Sequence, residues 1–188
     1  MDADRLIREH LAQGDPDAAA TEALKRHGPG VLGYLCSLLD EDDARDAFQM
    51  FAEDLWRGLP GFRGDGSLRA WVYRLAWHAA ARFSREAWRR RRERLPSSAA
   101  SRLAASIATA SAMAPGSRRE RLARLRALLT PEEQTLLVLR VDRELEWEEV
   151  AEVLAGEGAP ATPAALRKRF ERLKEKLQTL AKDEGLLE

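Results

Sequence analysis

The sequence predicts an all-α protein of two small helical domains, an N-terminal helical bundle and a C-terminal helix-turn-helix, joined by a flexible linker. Three observations carry this expectation. Apolar residues recur at helical spacing through most of the chain, and no segment shows the alternation of a half-buried strand. Asp15-Pro16, Thr130-Pro131 and Thr162-Pro163 each set a capping side chain before a proline suited to the first helical position. Between the periodic halves, residues 95–117 read LPSSAASRLAASIATASAMAPGS, a small-residue texture bracketed by Pro96 and Pro115-Gly116. The expected boundaries are therefore 1–94, 95–117 and 118–188.

Taken in order, Leu6, Ile7 and Leu11 mark a short first helix ending near Gly14. Asp15-Pro16 restarts the chain as a helix carrying Ala20, Ala23 and Leu24, expected to stop at Gly28-Pro29-Gly30 because an interior proline removes a helix hydrogen bond. Val31 to Leu39 then reads as another short helix. Ala44, Ala47, Phe48, Phe51, Ala52 and Leu55 form the inner stripe of the next, whose other face carries Asp43, Asp46, Gln49, Glu53 and Asp54. That helix ends at Gly58-Leu59-Pro60-Gly61. Beyond the linker, which holds a short helix around Leu103 to Ile107, a helix passes through Leu122, Leu125 and Leu128-Leu129. Thr130-Pro131-Glu132-Glu133 is a capping box, and the nearly all-apolar run Leu136 to Val141 should lie at the centre of the small domain. Trp147, Val150, Ala151 and Leu154 line the next helix. After the turn Ala155 to Ala161, the last helix buries Leu166, Phe170, Leu173, Leu177 and Leu180.

Charge adds a functional reading. The 188 residues carry 31 basic and 31 acidic side chains, a formal net charge of zero, yet the signs are segregated. Asp40 to Asp54 and Glu132 to Glu157 are mostly acidic, whereas Arg82 to Arg94 and Arg167 to Lys176 are basic. Such a chain can hold a polyanion on its basic patches while its acidic faces meet something else. Cys36 is the sole cysteine, which excludes an intramolecular disulfide or a cysteine metal cluster; its place among Leu32, Leu35 and Leu39 suggests a buried thiol. The three histidines are scattered, without metal-ligand spacing, and no nucleophile motif or phosphate-cradling loop is present. Neither an enzyme nor a cofactor or metal site is expected. No signal peptide opens the sequence and no apolar run approaches membrane-spanning length, so a cytoplasmic location without membrane insertion is expected.

The stretch Phe62 to Arg94 concentrates the binding chemistry. It opens with the glycine-rich loop FRGDGS, and Ser67 can cap the helix that follows. Leu68, Trp71, Val72, Leu75, Ala79 and Phe83 share one stripe, while Arg74, Trp77, Arg85 and Trp88 fall on a face that should be wet. Six of the chain's twelve aromatics lie between Phe62 and Trp88, and arginines fill 89–92. Any one of these residues could simply pack or solubilise. Cations interleaved with exposed rings suit a nucleic acid, which offers phosphates to the first and base faces to the second. In the last helix, Arg167, Lys168, Arg169 and Arg172 occupy the opening turns, where the helix dipole favours acids by about 0.3–1 kcal/mol per charge. A phosphate or base partner accounts for them, as in the second helix of a helix-turn-helix.

Together these pieces resemble the extracytoplasmic-function sigma factors of bacterial RNA polymerase. The segment DARDAFQMFAEDLWRGLPGFRGDGSLRAWVYRLAWHAA, Asp43 to Ala80, is similar to the family's acidic helix, loop and tryptophan-bearing helix in order and spacing. LTPEEQTLLVLR followed by LEWEEVAEVL resembles its fourth region. The resemblance implies that Asp46, Gln49 and Glu53 dock on the clamp helices of core RNA polymerase. It implies that the loop residues Phe62, Arg63, Asp65 and Ser67, with Trp77 and His78 beside them, capture a base flipped from promoter DNA at the minus-ten element. Arg82 and Arg85 would hold phosphates, and Arg167, Lys168, Arg169 and Arg172 would read the minus-thirty-five element. Family members are often restrained by an anti-sigma factor, although nothing in the sequence identifies a surface for one.

The chain departs from the family pattern in three places. His78 stands where asparagine is usual, the turn between Leu154 and Arg169 is longer than the family's tight one, and Glu171 and Glu175 sit among the basic residues of the last helix. Two other readings remain: a stand-alone helix-turn-helix regulator, which leaves the acidic face and aromatic loop without a task, and a helical protein adaptor, which leaves the Trp and Arg stripe without one.

Overall fold

The computed structural model describes residues 3–62, 64, 66–94, 125, 128–155 and 162–183, with side chains described only through Phe83 in the segment 66–94. The expected linker, Arg63, Asp65 and the side chain of Arg85 lie outside this description. Among the described residues the chain is all-α, without strands. The elements are α1 (Ala3–Ala12), α2 (Pro16–Leu38), α3 (Glu41–Gly58), a 3₁₀ turn (Leu59–Gly61), α4 (Leu68–Arg94), α5 (Pro131–Leu137), α6 (Trp147–Val153) and α7 (Pro163–Asp183).

The capping residues do what their chemistry dictates. Asp15 Oδ1 accepts from the Ala18 amide at 2.9 Å, and Thr162 Oγ1 accepts from the Ala165 amide at 3.2 Å. Thr130 and Glu133 close a reciprocal box, with the Glu133 amide donating to Thr130 Oγ1 at 3.2 Å and the Thr130 amide to Glu133 Oε2 at 2.8 Å. Asp40, which the sequence did not single out, caps α3 through the Asp43 amide at 3.0 Å.

Two local expectations are overturned. The helix expected to stop at Gly28-Pro29-Gly30 continues through Pro29 to Leu38. Its glycines permit close packing instead of ending the helix: a Cβ on Gly28 would stand 3.5 Å from the Phe48 ring, and one on Gly30 only 2.7 Å from Tyr73 Oη. Tertiary contact outweighs the local cost of the proline. With the helix unbroken, its phase carries over, so Val31, Tyr34 and Leu35 are buried and Cys36 is exposed rather than a core thiol. The run Leu136 to Val141 also fails to make one regular helix. It widens into a π turn over Val138–Asp142, leaving Val141 exposed, and the chain reverses through Glu144 at φ 54°. Arg140 Nη1 donates to the Leu145 carbonyl at 2.7 Å across that reversal.

The core is one contiguous apolar cluster. Phe51, Leu55, Leu59, Leu68 and Val72 close the N-terminal helices on each other, while Leu139, Leu145, Val150 and Leu166 fill the C-terminal ones. The two sets meet where α6 lies against α4 and α5 against α2. No helix among the described residues is long and apolar enough to cross a membrane.

Candidate nucleic-acid interface

Helix α3 presents Asp46, Gln49 and Glu53 to solvent on one stripe because Ala44, Ala47, Phe51 and Leu55 commit the opposite side to the core. Trp56 continues that exposed stripe by one turn and is 45% exposed. Its three-residue spacing from Glu53 is the signal in the sequence that places it there. Asp54, at the flank of the same helix, is drawn inward to Arg82 of α4, with Nη2 to Oδ2 at 2.6 Å. Arg82 is thus held by a partner on its own protein as well as being a phosphate candidate.

The loop before α4 is shaped by glycine. Gly64 and Gly66 have φ of 79° and 154°, a region that side-chain-bearing residues rarely adopt. Phe62, half-buried, packs its ring on Trp71 at 5.3 Å with the planes tilted by 43°. Ser67 caps α4, its Oγ 3.3 Å from the Ala70 amide. Ser67 does not face open solvent: its hydroxyl donates to Glu149 Oε1 of α6 at 2.6 Å. Arg69 Nη2 stands 3.4 Å from the other oxygen of Glu149 and donates to the Glu144 carbonyl at 3.1 Å. A Cβ on Gly66 would meet the Glu152 carboxylate at 3.2 Å. Arg69 and Glu149 had no place in the sequence reading, because only the fold brings residues about 80 positions apart together.

Trp77 corrects an expectation. The face on which it was expected to be wet is covered, and Trp77 is only 5% exposed. It lines a cleft of about 350 Å³ whose apolar wall comes from Leu136, Leu154, Leu166 and Leu173, and whose rim carries Arg169, Arg172 and Lys176. The indole Nε1 is buried without a hydrogen-bond partner among the described residues. The inner stripe of α4 therefore includes Ala70, Tyr73, Ala76 and Ala80 beside Val72, Ala79 and Phe83, a band wide enough to serve both α3 and α6. His78 stays half-exposed.

On α7, Leu166 and Leu173 are buried and Arg167, Lys168, Arg169 and Arg172 project outward. Trp147 of α6 sets their stage: Phe170 meets its ring edge-on at 5.6 Å, and Arg167 lies 5.8 Å from the ring centre. Arg167 Nη2 is also 3.7 Å from Glu148 Oε1. Lys176 Nζ lies 2.7 Å from Glu133 Oε2. Burial pushes the Glu133 carboxyl up, but its bonds from Lys176 and from the Thr130 amide outweigh that and hold it below the usual carboxylate range. Glu171, one of the two acids noted among the basic residues, pairs with Lys174 at 2.7 Å. This geometry offers an acidic, glutamine-bearing face, a glycine-shaped loop and a basic helix.

Comparison with known proteins adds to this. Residues 23–90 match the family model of sigma-70 region 2. The chain shares its fold with a solved structure described as CnrH in complex with the cytosolic domain of CnrY, at TM-score 0.67 and 23% identity over 97% of this chain and 99% of that one. No curated protein matches it in sequence. The resemblance read from the sequence agrees with both: the chain is all-α with the fold of the CnrH structure, and residues 23–90 are similar to sigma-70 region 2.

Proposed function

We propose that this chain is an alternative sigma factor, one that binds core RNA polymerase, recognises promoter minus-ten and minus-thirty-five elements and promotes DNA melting at transcription initiation. The observation that carries the reading is the region 2 match, because residues 23–90 contain both the exposed Asp46, Gln49 and Glu53 stripe and the loop that opens α4. An acidic stripe with an amide suits basic helices of a large partner, and Trp56 beside it offers an aromatic anchor. In this reading the polymerase docks on α3. Phe62, Arg63, Asp65 and Ser67, with Trp77 and His78, form the base-capturing pocket, and Arg82 and Arg85 contact phosphates. Arg167, Lys168, Arg169 and Arg172 address the upstream element.

Two weak DNA contacts joined through one enzyme supply specificity by effective concentration. The residues assigned to N-terminal polymerase docking, to a connecting linker over 95–117 and to C-terminal DNA reading belong to the same proposal. So does a regulatory partner, which the CnrH complex with a cytosolic domain suggests by likeness. The direct test is a pull-down with sigma-free core polymerase. Wild-type chain should be retained, and Asp46→Ala with Gln49→Ala should lose retention while keeping its helicity. Equal retention of both would contradict the docking assignment.

A further inference from the structure

The turn that follows the π segment carries Arg143 into a notch on α2. Gly30 and Gly33, neighbours on one side of that helix, leave the room its guanidinium takes. A Cβ on Gly33 would stand 2.9 Å from Arg143 Nη2, and one on Gly30 3.5 Å from Nη1 and 2.7 Å from Tyr73 Oη. A guanidinium presents donors only, so each buried N–H needs an acceptor. Arg143 Nε is nonetheless buried without a hydrogen-bond partner among the described residues, and so is Nε of Arg69 on α4. Arg69 joins the same turn, its Nη2 donating to the Glu144 carbonyl at 3.1 Å. The charges of Arg143 and Arg69 both reach Tyr73, which is 4% exposed. Burial outweighs them and holds its phenol above the ordinary value, as a neutral hydroxyl able to donate.

We propose that Arg143, Arg69 and Tyr73 form an oxyanion site for a phosphate group. Two orphaned guanidinium donors beside a buried hydroxyl call for an acceptor, and the glycine notch fixes where one fork lies. A tetrahedral dianion can take both guanidiniums and the hydroxyl at once, whereas a singly charged carboxylate or chloride answers only part of the site. The surrounding charges leave it cationic. No carboxylate pairs with Arg143 among the described residues. Glu149 Oε2 stands 3.4 Å from Arg69 Nη2, and His27, held by Asp4 at 3.5 Å, feels both Arg69 and Arg26. The Arg69 side chain is 37% exposed, which leaves the site open to an ion arriving from solvent.

The test is equilibrium dialysis of the full-length protein against radiolabelled inorganic phosphate, with ionic strength held constant by chloride. Wild type should bind about one phosphate per chain with a dissociation constant of about 1 mM or tighter. Arg143→Gln should weaken binding about tenfold or more. Gly33→Ala leaves every charge in place but sets a Cβ 2.9 Å from Nη2, and the displaced fork should cost about threefold or more in affinity. Arg45→Gln removes the same charge from the exposed face of α3 and should change nothing. A nucleoside monophosphate distinguishes the sources: weaker binding than inorganic phosphate assigns the free ion, and equal or tighter binding assigns a phosphate carried on a larger molecule. No saturable binding by wild type, or an equal loss in Arg45→Gln, would overturn the inference. So would wild-type affinity in both Arg143→Gln and Gly33→Ala, each checked for helicity by circular dichroism. Binding of single-stranded DNA that depends on Arg143, without binding of phosphate, would make the residue a DNA contact and overturn it as well. Neither polymerase nor promoter enters the assay, so its failure is distinct from a failure of the sigma reading.

Discussion

Tyr34 and Thr135, 101 positions apart, share a hydroxyl–hydroxyl hydrogen bond of 3.1 Å with both side chains wholly buried. Their contact ties α2 to α5. Burial raises the Tyr34 phenol far above its ordinary value, so it remains a neutral donor or acceptor. Tyr34→Phe leaves Thr135 Oγ1 buried without this partner and should cost about 1–3 kcal/mol. Adding Thr135→Val should restore much of that loss, because neither hydroxyl then goes unpaired. Urea unfolding of the two single variants and the double variant checks this; simple additivity of the losses would contradict it.

Arg82 has two roles that a double substitution can separate. Its pair with Asp54 is partly exposed, with the side chains 43% and 25% accessible, so after solvent screening it should contribute about 0.5–1 kcal/mol. Asp54→Ala and Arg82→Ala should each lower stability by a similar amount. Only Arg82→Ala should also weaken promoter retention by the polymerase complex, measured by filter binding. Equal promoter affinity of wild type and Arg82→Ala would confine the residue to the α3–α4 contact.

Phe62 packs on Trp71, so its removal could act through the loop's shape or through a lost base platform. Phe62→Leu retains an apolar contact with the indole, whereas Phe62→Ala removes it. Both should retain polymerase binding and both should impair open-complex formation, since base stacking is worth about 1–3 kcal/mol per base. Permanganate footprinting would report melting. Normal opening by Phe62→Leu would show that packing on Trp71, not stacking, is what the loop requires.

His27 gives a pH dependence. It is 8% exposed on α2, and its pKa is lowered chiefly by burial, with Asp4 opposing at 3.5 Å. The unfolded chain takes up its proton near 6.5 while the folded chain resists it. The stabilising contribution is therefore fully present above 6.5 and declines as pH falls through that value towards the lower folded one. Thermal unfolding across this range should show stability falling with acidity, and His27→Gln should flatten that dependence. The wild-type slope persisting in the variant would exclude His27 as its source.

How far the residues spoke for themselves depended on the range of the interaction that decides them. Caps are local, so Asp15, Thr130 and Thr162 were legible from neighbouring chemistry and take their expected hydrogen bonds. The polar face of α3 was legible because its burial partners repeat on the same helix. Pro29 was misread because the reason to continue the helix lies in Phe48 and Tyr73, which its own neighbourhood does not contain. Cys36 followed from that error, since an imagined helix restart shifted the phase of the buried stripe. Trp77 was misplaced for a related reason: one helix's periodicity identifies a single buried face, whereas α4 packs against both α3 and α6. The Ser67, Arg69 and Glu149 cluster joins distant segments and was invisible to any reading of spacing.

The central claim is tested most directly by run-off transcription. Purified chain, sigma-free core polymerase and fragmented DNA from the same genome would be combined and the transcripts sequenced. The account expects discrete new start sites, each preceded by a shared two-part motif, that disappear with Asp46→Ala and Gln49→Ala together. No transcripts, with tight duplex binding by the chain alone, would contradict it and favour a stand-alone regulator built on α5 to α7.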